Sequence, residues 1–333
     1  MKSINLLYKC NRWYLLALLI PILCACQPNS STPIKRWQHS VDGAYAANIS
    51  NNAQYSAVSS IHHGISLWDL ENNALKYNWY QAQNNADNLV LAIDISNDNQ
   101  FVLTASRKNF ALWNIGNGES QGYWQVRDST IRDIALSNNG EHILIGKSNG
   151  TVVHVTIDSG RRLEFLGHNE KVNSVDMLPN GRIALSGGND FVAYVWDTLS
   201  GQVVYRFNHP SRVINVALDT KGRYAFTADS KKDANIWDLT TGKLISQLQY
   251  TNRQEVFSSV QFSDDGTLLL TGAPSRKISL WDIKTGERTK SWHVTPKDNI
   301  RPSGAVVYSI AFRDNNHIIS ESSSGYAELW KIN

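Results

Sequence analysis

From about residue 44 onward the chain alternates short apolar stretches with clusters of Asn, Asp, Gly and Ser. Val172, Val175 and Met177 precede one such cluster; Val213, Val216 and Leu218, and Ile131, Ile134 and Leu136, stand at the same places before others. Later stretches read ISLWDL, ANIWDL and ISLWDI. β-Branched and aromatic residues alternating over six positions, broken by turn residues every 8–12, predict short antiparallel strands. No useful length carries a helical period.

The pattern recurs. Trp68-Asp69, Trp196-Asp197, Trp237-Asp238 and Trp281-Asp282 anchor it, with weaker copies at Trp113-Asn114 and Trp330-Lys331. Val155-Thr156 takes the remaining place, since Ser159-Gly160 follows it as Ser200-Gly201 follows Trp196. Successive anchors are 45, 42, 41, 41, 44 and 49 residues apart. A turn cluster begins 17 or 18 residues before each anchor, at Ser50, Ser96, Ser137, Leu178, Asp219, Ser263 and Arg313. Eleven residues after each of the first six anchors stands a bulky apolar residue: Trp79, Trp124, Leu166, Phe207, Leu248 and Trp292. Seven repeats of one register, four strands each, are predicted.

On these residues the chain resembles the WD-repeat β-propeller family over residues 34–333. The resemblance implies an all-β, seven-bladed propeller with four antiparallel strands per blade around a central channel. The last repeat ends on its third strand, and Ile34–Gln38 resembles an unused fourth strand, so the N-terminal strand is expected to close the last blade. Repeat four alone carries the full family pattern: His168 after Gly167, then Ser186, Asp190 and Trp196. By resemblance these form a structural hydrogen-bond chain from Trp through Ser and His to Asp, and no hydrolase triad. Thr227 and Thr271 match Ser186, and His209 matches His168.

The first 33 residues differ. Lys2, Lys9 and Arg12 precede or flank an 11-residue apolar run, Trp13–Leu23. That is the length of an export-signal core and too short for a bilayer span. Leu23-Cys24-Ala25-Cys26 resembles the bacterial lipobox. Residues 1–25 are therefore expected to be a lipoprotein signal peptide, with Cys26 lipidated and residues 26–33 a tether. Gln27 is similar to an outer-membrane sorting residue, so the protein is expected in the bacterial cell envelope, anchored to the outer membrane and facing the periplasm.

Composition narrows the chemistry. Without the three basic residues of the signal, 29 Lys and Arg balance 29 Asp and Glu. A neutral chain has no general basic field for nucleic acid. All three cysteines, Cys10, Cys24 and Cys26, fall within the first 26 residues, so the rest has no disulfide or thiol chemistry. His62-His63 lacks convergent metal partners, and Asp264-Asp265-Gly266 occupies the shared turn position. There is no phosphate loop, nucleophile elbow or dinucleotide fingerprint. No catalytic residue, metal or cofactor is expected.

Anchor-to-next-turn distances vary (28, 24, 23, 23, 26 and 32 residues) while turn-to-anchor distances do not. The insertions fall between the fourth strand of one blade and the first of the next, which in the family lie on the top face. Loops 293–305, 81–88 and 250–255 are the longest. The candidate binding residues there are Arg132, Lys171, Arg212, Arg301 and Tyr308, Arg and Tyr being frequent interface anchors. The expected function is a membrane-anchored, non-catalytic scaffold for an unidentified protein or peptide. The alternative is a periplasmic enzyme or small-ligand binder using the channel.

Overall fold

The computed structural model describes residues 32–60, 62–81, 89–251, 255–297 and 304–332. Seven four-stranded antiparallel sheets form the fold, and their innermost strands neighbour one another around a closed ring. These inner strands are Ala46–Ile49, Ala92–Ile95, Ile131–Leu136, Val172–Met177, Val213–Leu218, Ser259–Phe262 and Val307–Asp314, in blades 1 to 7. This is a seven-bladed β-propeller. Among the described residues the one helical segment is a 3-10 turn, Asn138–Gly140, and no helix is long and apolar enough to cross a membrane.

The seventh blade closes as expected. Lys35–Gln38 pairs antiparallel with Tyr326–Lys331, and the Ile34 amide reaches Leu329 O at 2.7 Å. Its outer edge is thereby covered by the other end of the chain.

Local sequence explains the turns. Between the first and second strands of blades 1, 2, 3 and 6 a serine side chain captures the amides that follow: Ser96 Oγ accepts from Phe101 N at 2.9 Å, and Ser263 Oγ from Leu268 N at 2.9 Å. In blades 1 to 6 this turn holds a left-handed residue. Gly181, Gly222 and Gly266 supply it at φ of 73°, 70° and 74°, whereas blade 1 forces Ala53 to 54°, a conformation costly for a residue with a Cβ. Between the third and fourth strands of blades 1, 2, 4, 5 and 6, the acidic or amide residue after the tryptophan caps the turn. Asp197 Oδ1 accepts from Leu199 N and Ser200 N, and Asn114 Oδ1 from Gly116 N and Asn117 N. The Trp-Asp pair thus joins a packing residue to a turn cap.

Packing runs between blades. Trp79, on the fourth strand of blade 1, stacks on Trp113 of blade 2 at 5.2 Å. Phe165 stacks on Trp196 at 4.6 Å and Phe207 on Trp237 at 4.1 Å. Trp292 and Trp330, both fully buried, share a cluster across blades 6 and 7. Burying side chains of this size contributes roughly 1.5–3 kcal/mol each. One expectation fails: Leu166 is 73% exposed, and Phe165 fills its slot. In blades 1, 2, 4, 5 and 6 a bulge shifts the register at the anchor tryptophan. Blade 3, with Val155 there, pairs Val152 to Val155 with Phe165 to Arg162 without a shift. The missing bulge residue moves the buried position from eleven after the anchor to ten.

Candidate functional site

Consecutive strands are antiparallel within each blade, so the connections from fourth to first strands and from second to third emerge at one end of the ring. This is the top, and the central channel opens through it.

Each inner strand is an edge strand whose outward amides lack a ladder partner. At five of the seven junctions a side chain of the preceding blade satisfies one of them. Asp94 Oδ2 accepts from Leu136 N (2.8 Å), Asp133 Oδ2 from Val175 N (2.9 Å) and Asp176 Oδ2 from Leu218 N (2.6 Å). Gln261 Oε1 accepts from Phe312 N, and Ser309 Oγ from Ile49 N. The wall is stitched side chain to backbone from blade 2 to 3, 3 to 4, 4 to 5, 6 to 7 and 7 to 1. Desolvation pushes these carboxyls up, Asp94 to about 8, Asp133 to about 6 and Asp176 to about 7; the coulombic effect of Asp176 adds to the rise at Asp94. Each keeps partial exposure to the lumen, which tempers the effect. Sequence reasoning missed them; the available signal was an Asp in an inner strand where other blades carry Ala, Ser, Asn or Gln.

The top-face candidates separate. Arg132 is exposed and Tyr308 half-buried, and both line the channel. Burial raises the Tyr308 phenol, with Tyr45 adding to the shift. Lys171, half-buried, and Arg212, exposed, immediately precede inner strands and flank the mouth without lining the channel. No hydrogen bond or ion pair joins these four residues to one another. Arg301 and Cys26 lie outside the described residues, as do loop positions 82–88, 252–254 and 298–303.

The top also carries apolar residues that sequence reasoning did not select. Val41, Tyr45, Tyr80, Leu91, Leu166, Phe191 and Val256 are exposed large hydrophobics at that end, while the aliphatic Ile34, Leu75, Leu199, Val203, Val204 and Leu244 are exposed toward the other. Phe191 sits at φ 68° in the turn between the second and third strands of blade 4. A half-exposed phenylalanine held in left-handed backbone is costly to folding.

The network in blade 4 is partly as the resemblance implies. His168 Nδ1 lies 2.9 Å from Asp190 Oδ2 and Nε2 2.9 Å from Ser186 Oγ. Desolvation of Asp190 is outweighed by its bonds to His168, Asn169 and Val192, and its carboxyl falls below the usual range. The Trp196 indole N–H, however, has no partner. Trp113, Trp237, Trp281 and Trp330 do bond Thr104, Thr227, Thr271 and Ser320. Threonine's branched χ1 holds its hydroxyl in place, and Ser320 has no competing histidine bond. Ser186 is unbranched and turns to His168.

A seven-bladed ring of inner strands with Trp-Asp turn caps defines a repeat-built propeller. The chain carries WD repeats: the family profile "WD domain, G-beta repeat" matches residues 160–197 and 242–282. It is similar to the WD repeat-containing protein SL1-17 of Schistosoma mansoni, 28% identical over 49% of this chain and 53% of that protein. A WD repeat-containing protein of Synechocystis is 25% identical over 35% of this chain and 34% of its own. A guanine nucleotide-binding protein subunit beta of Arabidopsis thaliana is 26% identical over 38% and 35%. The matches thus span about half or less of these curated relatives. WD-repeat propellers commonly act as protein-interaction scaffolds.

Proposed function

We propose that this chain is a lipid-anchored scaffold of the bacterial cell envelope, held at the periplasmic face of the outer membrane through Cys26 and binding a protein or peptide with the top of its propeller. The exposed aromatic side chains at the top, Tyr45, Tyr80 and Phe191, carry the binding half of this reading; aromatic residues are frequent interface anchors. The lipobox supports the anchor. A channel-based activity is less well supported: among the described residues no histidine lines the channel, and Asp94, Asp133 and Asp176 each already hold an amide of the next blade.

The test places a photo-crosslinking residue at Phe191, Leu166 or Leu199 of the full chain in cells. Discrete crosslinked species from the first two positions and none from Leu199 are expected; equal labelling from both ends sinks the top-face reading. In the same cells Cys26→Ala should move the protein from the membrane to the soluble fraction, and full retention rejects the anchor.

A further inference from the structure

Blade 5 repeats the design of blade 4 with a change of chemistry. Lys231 stands where blade 4 has Asp190, and His209 Nδ1 has no hydrogen-bond partner although the residue is 93% buried. Its other nitrogen is held: Nε2 lies 2.9 Å from Thr227 Oγ1, which also accepts the Trp237 indole N–H. Two different carboxylates approach the free side of the ring. Asp229 closes the second strand of the blade, and Asp233 precedes its third, Ala234–Asp238. Asp229 Oδ1 accepts the amides of Lys231, Lys232 and Asp233, which leaves Oδ2 buried and without a partner. Gln247 Nε2 donates to Asp233 Oδ1 at 3.1 Å. A ring nitrogen of His209 and one oxygen from each carboxylate lie within 4.8 Å of one another.

Unpartnered buried acceptors cost about 1–3 kcal/mol each, and here two of them face a third group of the same kind. No hydrogen bond links Nδ1 to either carboxylate, so a proton does not resolve the arrangement as it does in blade 4. A cation would. Metal–nitrogen and metal–oxygen bonds of about 2.0–2.2 Å at tetrahedral angles put donors roughly 3.4 Å apart, inside the observed span. The Nε2 proton given to Thr227 Oγ1 would leave Nδ1 bare and the ring oriented, the usual outer support of a metal-bound histidine.

We propose that His209, Asp229 and Asp233 form a binding site for a divalent metal ion of the Zn2+ type. One nitrogen and two carboxylate oxygens suit a borderline ion; Ca2+ and Mg2+ take six or more oxygens. Three protein donors leave a tetrahedral ion one position for water or an outside ligand. The site goes beyond the scaffold reading and does not rest on it. It departs from the expectation of no metal site: the donors stand 20 and 24 residues apart in sequence, and only the blade fold brings the loop histidine over the turn that bears the two aspartates.

The full chain in detergent, with its cysteines alkylated so that no thiolate competes, is titrated with Co2+ as the spectroscopic probe and then with Zn2+ in competition. One equivalent of Co2+ should give the visible bands of a low-coordinate nitrogen and oxygen site, and Zn2+ should displace it and raise Tm. Asp229→Asn and Asp233→Asn should each weaken Zn2+ binding by at least about 10-fold, and His209→Ala by about 100-fold. Asp233 is partly exposed, so its variant keeps the test open if the buried ones do not fold. His317→Ala, at an exposed His–Asp pair elsewhere, should bind as wild type. Absence of one-to-one binding up to about 1 mM metal, or wild-type affinity in Asp233→Asn, overturns the site.

Discussion

Blades 4 and 5 share a 41-residue period and the same inter-blade stacking, yet each completes the opposite half of its polar chain. In blade 4 the bonds run from Asp190 through His168 to Ser186 and stop short of Trp196. In blade 5 they run from Trp237 through Thr227 to His209 and stop short of any carboxylate. Both tryptophans are nonetheless packed under an aromatic ring of the preceding blade. Apolar stacking between blades is therefore the common element, and the polar chain is an addition whose links can be dropped singly. What a dropped link leaves behind differs: a buried indole N–H in blade 4, a cluster of acceptors in blade 5.

The largest expected effect separates the two blades directly. Asp190→Ala strips a buried histidine of its carboxylate and should lower stability by about 1–3 kcal/mol. Lys231→Ala, at the matching position of blade 5, removes an exposed side chain and should stay within roughly 0.5 kcal/mol of wild type. Urea unfolding of the two variants measures both. Equal losses would mean that the His168–Asp190 pair contributes nothing beyond the turn that carries it.

The architecture was legible in the sequence to an unusual depth because every blade repeats the same turn and packing chemistry; even Val155, without a tryptophan, fell into register through Ser159-Gly160. The closing strand was legible from a count of strands at the two ends. What escaped depended on contacts between blades. The bulge that displaced Leu166 is a matter of pairing register. The amides caught by Asp94, Asp133 and Asp176 belong to the next repeat, 42 residues on in each case. Of the candidate top-face binding residues, Arg132 and Tyr308 line the channel, whereas Lys171 and Arg212 precede their inner strands and miss the lumen. The apolar top-face set was unreadable because exposure of a Leu or Phe is decided by its neighbours.

The channel wall offers the second contrast, since blade 4 places Asp176 where blade 5 has Ala217. Asp176 titrates near 7 in the fold against about 3.8 unfolded. The folded state therefore binds more protons between these values, and stability present below pH 4 is lost as pH rises toward 7. Asp176→Asn keeps an oxygen for the Leu218 amide and removes the titration. It should gain on wild type by on the order of 1–2 kcal/mol at pH 8, after allowance for contact with the lumen, and gain nothing at pH 4. Thermal melts across that range check it; a constant difference at every pH would show that the carboxyl is not the titrating group.

The smallest effect concerns His209, and its sign is opposite. Desolvation lowers this imidazole in the fold, while Asp229 and Asp233 pull it upward. Between the folded value and 6.5 the unfolded chain binds the extra proton, so stability is complete above pH 6.5 and declines as pH falls below it. His209→Gln, melted in the presence of a chelator, should lose that part of the pH dependence while keeping a hydrogen-bonding group near Thr227. His168 is bonded to Asp190 on the side where His209 meets no partner, so any change of slope in His168→Gln would instead follow the acid limb of Asp190, whose depressed carboxyl withdraws its stabilisation as pH falls through the folded value. Slopes that change in the same window for both variants would remove the distinction between a histidine tied to a carboxylate and one left open.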